Sequence, residues 1–174
     1  EEAQRLGYAE ADPTFDGEGI DAAHKLAILS SIAFGVPINI DAAYTEGITH
    51  LAKEDIKYAE QLGYRIKLLG ITKRTAAGIE LRVDPTLVPL QRLIANVEGA
   101  MNAILIKGDA VGTTLYYGQG AGSAPTASAV IADLVDVTRL HTADPENHVP
   151  HLAFQPEGVA ALPWLSVDDT ITSY

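Results

Sequence analysis

Tyr64-Arg65-Ile66-Lys67-Leu68-Leu69-Gly70-Ile71-Thr72 and Gly78-Ile79-Glu80-Leu81-Arg82-Val83 alternate apolar and polar side chains in part, the pattern of half-buried strands. The five residues between them, Lys73 to Ala77, suit a hairpin connection. Farther along, Asn96 to Lys107 and Val111 to Tyr117 read as two more strands, with a turn at Lys107-Gly108-Asp109. Pro85 and Pro89 bracket a turn or short helix between the two pairs. Upstream the period changes. Leu51 to Leu62 carries Ala52, Ile56, Ala59 and Leu62 as one amphipathic helix, closed by Gly63. Ile20 to Phe34 keeps Ala22, Leu26, Leu29 and Ala33 at helical spacing, with Ile28 and Ile32 widening the stripe. It stops at Gly35, with Pro37 just beyond. A helix so rich in alanine and apolar residues is expected to be well buried. Successive antiparallel strands preceded by two helices predict an α+β fold, a mostly antiparallel sheet with helices packed on one face.

Outward from this centre the sequence is less regular. Gly118-Gln119-Gly120-Ala121-Gly122-Ser123-Ala124-Pro125-Thr126 leads into a helix from about Ala127 to Leu140. His141 to Val149 is polar and irregular, and the tail to Tyr174 has no clear period. At the other end, Glu1 to Leu6 reads as a helix capped by Gly7, and Tyr8 to Gly19 as an acidic loop broken by Pro13, Gly17 and Gly19. Opening on a helix with no methionine, the chain reads as a piece of something longer.

The 174 residues suffice for one domain with a substantial core, and a hydrophobic content of 47% fits a folded protein. Twelve basic against twenty-three acidic side chains leave a formal charge of −11. That balance repels phosphate backbones and anionic membrane surfaces, so neither nucleic acid nor membrane is expected as a partner. There is no cysteine, which excludes disulfides, thiolate metal sites and a cysteine nucleophile, and fits a cytosolic location.

Two places could carry chemistry. Glu10, Asp12, Asp16, Glu18 and Asp21 crowd into twelve residues, and Lys25 follows Asp21 by one helical turn. Asp21 and Lys25 at i and i+4 share a face with the acid on the N-terminal side, the better orientation. One reading is a solvated first turn whose acids complement the helix dipole. The other starts from the apolar character of the helix, which turns its polar residues toward a cleft. There desolvation disfavours the lysine's charge and the aspartate restores it, a balance that suits proton transfer near neutral pH. The second place is the glycine run at 118–122. It is not the dinucleotide fingerprint G-x-G-x-x-G, because Ser123 and Pro125 stand where glycine is needed. Either it is a tight strand-to-helix turn capped by Ser123 or Thr126, or it lets a ligand approach the backbone at a helix start. His141, His148 and His151 fall in or beside the irregular segment without a carboxylate at helical spacing, so no metal site is expected.

At these two places the sequence closely resembles the homoserine dehydrogenases. Gly7-Tyr8-Ala9-Glu10-Ala11-Asp12-Pro13, then Asp16, then Gly19-Ile20-Asp21-Ala22-Ala23-His24-Lys25-Leu26 is similar to their signature G-Y-x-E-x-D-P, acidic spacer, G-x-D-x-x-x-K. Gly120-Ala121-Gly122 followed by Pro125-Thr126-Ala127-Ser128-Ala129-Val130 and Asp133 resembles the family's later glycine-rich segment, and Asn96-Val97-Glu98-Gly99 fits between. The resemblance covers Glu1 to Leu140, and less sharply the tail. It implies NAD(P)-dependent interconversion of L-homoserine and L-aspartate 4-semialdehyde, in the biosynthesis of threonine, methionine and isoleucine. By position, Lys25 would be the catalytic acid/base and Asp21 would hold and polarise it. Glu10, with Asp16 as helper, would bind the substrate ammonium, and Gly122 would lie against the nicotinamide end of the cofactor.

The resemblance also implies a division of labour: 1–118 as a substrate-binding and dimerisation domain, 119–140 as a glycine-rich loop and helix returning to a Rossmann domain, and 141–174 as loop and tail. The family's nucleotide-binding half and C-terminal regulatory module are absent from this sequence, so the chain alone is expected to be inactive. A homodimer in the cytoplasm is implied as well. Two rival readings stand beside this one. The chain could be the substrate-binding half of another NAD(P)-dependent oxidoreductase, or a non-catalytic dimerisation module. A module would leave Asp21 and Lys25 open to solvent, where an active site would converge them with Glu10 on a concave pocket.

Overall fold

A computed structural model describes residues 14–120, 122–142 and 162–170. They divide into two compact units, one of residues 14–88 with 162–170, the other of residues 89–120 with 122–142. The expected helix at Gly7, Glu10 and the histidines at 148 and 151 lie outside the described residues.

The first unit opens with α1 (Thr14–Gly17), a single turn, and α2 (Ile20–Phe34). The chain from Thr14 to Gly17 is therefore helical where a loop was expected. Helix α2 ends as its sequence predicts: Gly35 takes φ 64° and ψ 43°, a left-handed cap that L side chains adopt at a cost. The short β1 (Tyr44–Thr45) follows, then α3 (Lys53–Gln61), β2 (Tyr64–Arg74) and β3 (Ile79–Pro89). The four residues between β2 and β3 are too few for a crossover, so these neighbours run antiparallel.

The sheet order is β1-β3-β2, and β1 pairs with β3 in parallel at Tyr44↔Arg82 and Thr45↔Val83. The chain from 162 to 165 uses the same edge of β3. Ile79 donates to Pro163 O and accepts from Leu165, a parallel bridge opposite Trp164. The backbone of β3 carries straight through Pro85 to Pro89, which corrects the expected turn there. Alternate residues of a strand turn their backbone groups to the same edge. Pro85 thus shares the edge of Ile79 and Val83, away from β2 and beyond the end of β1, where a missing N–H costs no ladder bond.

Both helices lie on one face of this sheet. Leu26 of α2 covers Gly70, Ser30 of α2 hydrogen-bonds Thr72, and Tyr58, Ala59 and Leu62 of α3 and its end line a depression with Ile66. Positions 66, 70 and 72 share parity on β2, which is why one sheet face serves both helices. The core is Ala23 and Leu26 of α2 against Leu81 and Val83 of β3, with Leu68 and Trp164 packed around them. The buried stripe of α2 is Ala23, Leu26, Ala27 and Ser30, while Ile28, Leu29 and Ile32 are exposed. Of the expected stripe Leu26 is buried, but Leu29, Ala33, Ile28 and Ile32 are exposed, which corrects the expectation of a well-buried helix. When a helix is apolar almost all round, spacing does not choose the face; here the smaller residues face the sheet and permit close approach.

The second unit holds a short 3-10 turn (Leu93–Asn96), then β4 (Met101–Gly108) and β5 (Gly112–Gln119), and α4 (Ser123–Thr142). The two strands pair antiparallel from Met101↔Gln119 to Gly108↔Gly112. They form a ribbon of their own, so among the described residues the expected single sheet is two sheets, one of them containing a parallel pair. Residues 96–100 are not strand, because the turn ending at Asn96 and the left-handed Gly99 (φ 63°) intervene. Helix α4 starts four residues earlier than expected, with Pro125 in its first turn, where its ring needs no N–H partner.

Candidate functional site

The segment that carries the acid–lysine motif is built on close backbone contacts. Gly19 sits at the N-terminus of α2 with φ 77°, and its carbonyl accepts from Ala23 to start the helix. Asp21 and Lys25 fall on the first two turns. Lys25 Nζ donates to Asp21 Oδ2 over 2.6 Å, the i,i+4 geometry expected from the sequence. Phe15 of α1 meets His24 of α2 edge-on with ring centroids 5.5 Å apart, tying the preceding turn to the helix. Asp16 lies on that turn and is exposed.

The structure therefore joins Asp21 to Lys25, and puts Asp16 on the turn before them. It does not bury the pair. The Lys25 side chain is 71% exposed and that of Asp21 37%, the exposure expected of a solvated first turn. Among the described residues no three His, Cys, Asp or Glu side chains converge as metal ligands, and no helix is long and apolar enough to cross a membrane.

Gly122 belongs to the second unit. Its φ of 114° is in the range that only glycine enters freely. Its carbonyl accepts from Thr126 and begins α4, whose first N–H groups have no helical partner. A backbone without a Cβ at the start of a twenty-residue helix fits the close approach of an anionic or dinucleotide ligand.

One charged constellation has no counterpart in the sequence reading. On β3, Arg82 Nε donates to Glu80 over 2.7 Å and its Nη1 donates to Asp84. All three side chains are largely buried. Burial works against the guanidinium charge, yet the two carboxylates outweigh it and raise the Arg82 pKa. On the neighbouring strand Tyr44 Oη donates to Glu46 over 2.9 Å. That hydrogen bond, with burial and the charges of Glu46, Asp84 and Asp168, raises the phenol's pKa. The i,i+2 alternation of acid, base and acid at 80, 82 and 84 was the available signal, since it puts all three on one face of a strand.

Comparison with known proteins places this geometry in context. The family profile described as homoserine dehydrogenase matches residues 1–135. The homoserine dehydrogenase of Pseudomonas aeruginosa is 65% identical over 173 residues, 99% of this chain and 40% of that protein. That of Neisseria gonorrhoeae is 62% identical over the same shares. A crystal structure of a homoserine dehydrogenase from Thiobacillus denitrificans superposes with a TM-score of 0.88 at 75% identity, covering 94% of this chain and 38% of that one. A hyperthermophilic archaeal homoserine dehydrogenase in complex with NADPH is similar at 28% identity and a TM-score of 0.59, over 79% of this chain and 38% of that one. The chain thus spans about 40% of the length of the curated relatives it matches.

Proposed function

Because the chain belongs to the homoserine dehydrogenase family, we propose that it forms the substrate side of a site interconverting L-homoserine and L-aspartate 4-semialdehyde. The observation that carries this reading is the Lys25–Asp21 pair, formed at 2.6 Å at the head of α2. A nicotinamide cofactor, when bound, supplies or accepts the hydride. The chain's own residues then have one proton to move and a substrate to orient. Lys25, as the free amine, takes the hydroxyl proton of homoserine, and as the ammonium returns it to the aldehyde oxygen of the semialdehyde. Asp21 holds Nζ in place by its hydrogen bond. Glu10 and Asp16 receive the substrate ammonium, for which a carboxylate is the natural charge-assisted partner.

NAD(P) is the proposed cofactor, and Gly122 the residue of this chain that faces its nicotinamide end. The missing Cβ and the α4 N-terminus support that placement. Residues 1–118 act in substrate binding and dimerisation, and 119–140 lead back to a nucleotide-binding domain. The complete enzyme works as a homodimer in the cytoplasm, in the synthesis of the amino acids derived from homoserine. Exposed Ile104, Ile106 and Tyr116 on one face of the β4–β5 ribbon, and Leu105 and Tyr117 on the other, support an assembly that covers apolar surface.

The exposure of Lys25 favours a second reading, in which the pair is a solvated salt bridge of a dimerisation module. The two readings separate on Lys25→Ala, which abolishes most turnover under the first and leaves it near normal under the second; the proposed reaction itself is tested on the parent. The full-length enzyme carrying this sequence is expected to reduce NAD(P)⁺ with L-homoserine and to prefer it to other hydroxy acids. No homoserine-dependent reduction, or a clear preference for another hydroxy acid, would contradict the proposal.

A further inference from the structure

The start of α2 is fixed by a backbone crossing whose centre is Gly47. The chain leaving β1 is bound on one side to the sheet, where Glu46 N–H donates to Val83 O over 2.8 Å. On the other side Ile48 N–H donates to Gly17 O over 2.9 Å. Gly47, between them, is buried. A Cβ added there would stand 2.4 Å from Gly17 O and 2.6 Å from Glu18 Cα, both backbone atoms that no rotamer change can move aside. Gly19, two residues after Gly17, is closely but less tightly packed: its added Cβ would meet Val83 Cγ1 at 3.0 Å and Thr45 Cγ2 at 3.3 Å. The sheet side of the crossing is the rigid one, since Val83 is fully buried and paired with Thr45. The side able to yield is the turn from Thr14 to Gly17, exposed at Thr14, Phe15 and Asp16, and, through Gly19, the head of α2.

We propose that Gly47 is a positioning residue for the Asp21–Lys25 pair, an inference that rests on the function proposed above. By having no side chain it lets the turn at Gly17 and Glu18 seat against the sheet, and that seat fixes where α2 begins. Asp21 and Lys25 follow within two turns, and Asp16, proposed to help hold the substrate ammonium, lies on the turn just before the same crossing. Restoring an ordinary contact around a Cβ at 47 requires a shift of about 1 Å. A displacement of that size between catalytic groups and substrate can lower turnover about 10²-fold.

The test uses the full-length enzyme carrying this sequence, with Gly78→Ala as the matched control. A Cβ at Gly78 is as badly crowded, 2.3 Å from Pro163 O, and is strained besides at φ 153°, so it is the harsher change, but it lies at the contact between the β2–β3 turn and the tail. Gly47→Ala is expected to lower kcat/KM for homoserine about 10²-fold, with the cofactor KM within about threefold of the parent. Gly78→Ala, assayed where it is folded, is expected to keep kcat/KM within about threefold. Near-parent kcat/KM in Gly47→Ala, or an equal loss in Gly78→Ala, would overturn the inference. If Gly47→Ala does not fold, Gly19→Ala carries the test: its Cβ meets side-chain carbons at 3.0 Å and 3.3 Å, a milder crowding than at Gly47, and the strain of a side chain at φ 77° displaces the same head of α2. The same loss with unchanged cofactor KM is expected, and parent-like kinetics would overturn the proposal. Lys25→Ala assayed alongside separates the two levels. Its full activity would remove the functional reading and this inference with it, whereas its inactivity beside an active Gly47→Ala removes the inference alone.

Discussion

Lys25 donates a hydrogen bond of 2.6 Å to the carboxylate of Asp21, one helical turn earlier, and the lysine end of the pair is open to water. An exposed i,i+4 pair contributes only a few tenths of a kcal/mol to stability. Its proposed value lies in catalysis, which makes stability and turnover separable. Asp21→Asn is expected to change unfolding free energy by less than about 0.5 kcal/mol, measured by urea denaturation of this chain. In the full-length enzyme the same change is expected to lower kcat by about 10-fold to 10²-fold. A large loss of stability with normal kcat would reverse the assignment.

The Glu80–Arg82–Asp84 constellation is the opposite case, structural and largely buried. Arg82→Ala leaves two carboxylates without their cation, at an expected cost of about 3 kcal/mol in denaturant unfolding. Arg82→Lys is expected to recover only part of this, since one ammonium cannot reproduce the forked contact with both acids. Full recovery by lysine would show that charge alone matters there.

Leu26 is the main bulky side chain of α2 in the core, and it packs directly over Gly70 of β2. Leu26→Ala is expected to cost about 3 kcal/mol. The glycine beneath it brings no side chain to refill the space. Thermal or urea unfolding of the chain measures this, and a loss under about 1 kcal/mol would mean that helix and sheet close over the cavity.

Tyr44 gives a pH test. Its pKa is raised chiefly by the hydrogen bond to Glu46, then by burial and nearby carboxylates. A folded pKa above the unfolded one favours the neutral phenol. This contribution is therefore present below the unfolded phenol's pKa and is lost as pH rises through the folded one. Ultraviolet titration, with Tyr44→Phe subtracted to isolate its signal, is expected to show Tyr44 ionising above the ordinary tyrosine range. Glu46→Gln is expected to bring that ionisation down. No movement in Glu46→Gln would exclude the Glu46 hydrogen bond as the cause.

Much of this was legible in the sequence. Gly35 and Gly63 marked helix ends because a left-handed residue is a local requirement, and the i,i+4 spacing of Asp21 and Lys25 alone puts them on one helix face. Long-range pairing was not legible. Nothing local distinguishes a second sheet from a continuation of the first, so the β4–β5 ribbon and the parallel β1–β3 pair emerged only from the fold. Pro85 misled because its effect depends on which edge of β3 it faces. The buried face of α2 was right at Leu26 but displaced toward Ala23, Ala27 and Ser30, because its apolar residues surround the helix. Gly47 was invisible as a constraint, since its need is set by Gly17 and Glu18, some thirty residues away.

The central claim is that Lys25 moves the substrate proton, and steady-state kinetics of Lys25→Ala in the full-length enzyme tests it most directly. The account predicts a fall in kcat of about 10²-fold to 10⁴-fold, with the cofactor KM little changed. Turnover close to that of the parent enzyme would contradict it.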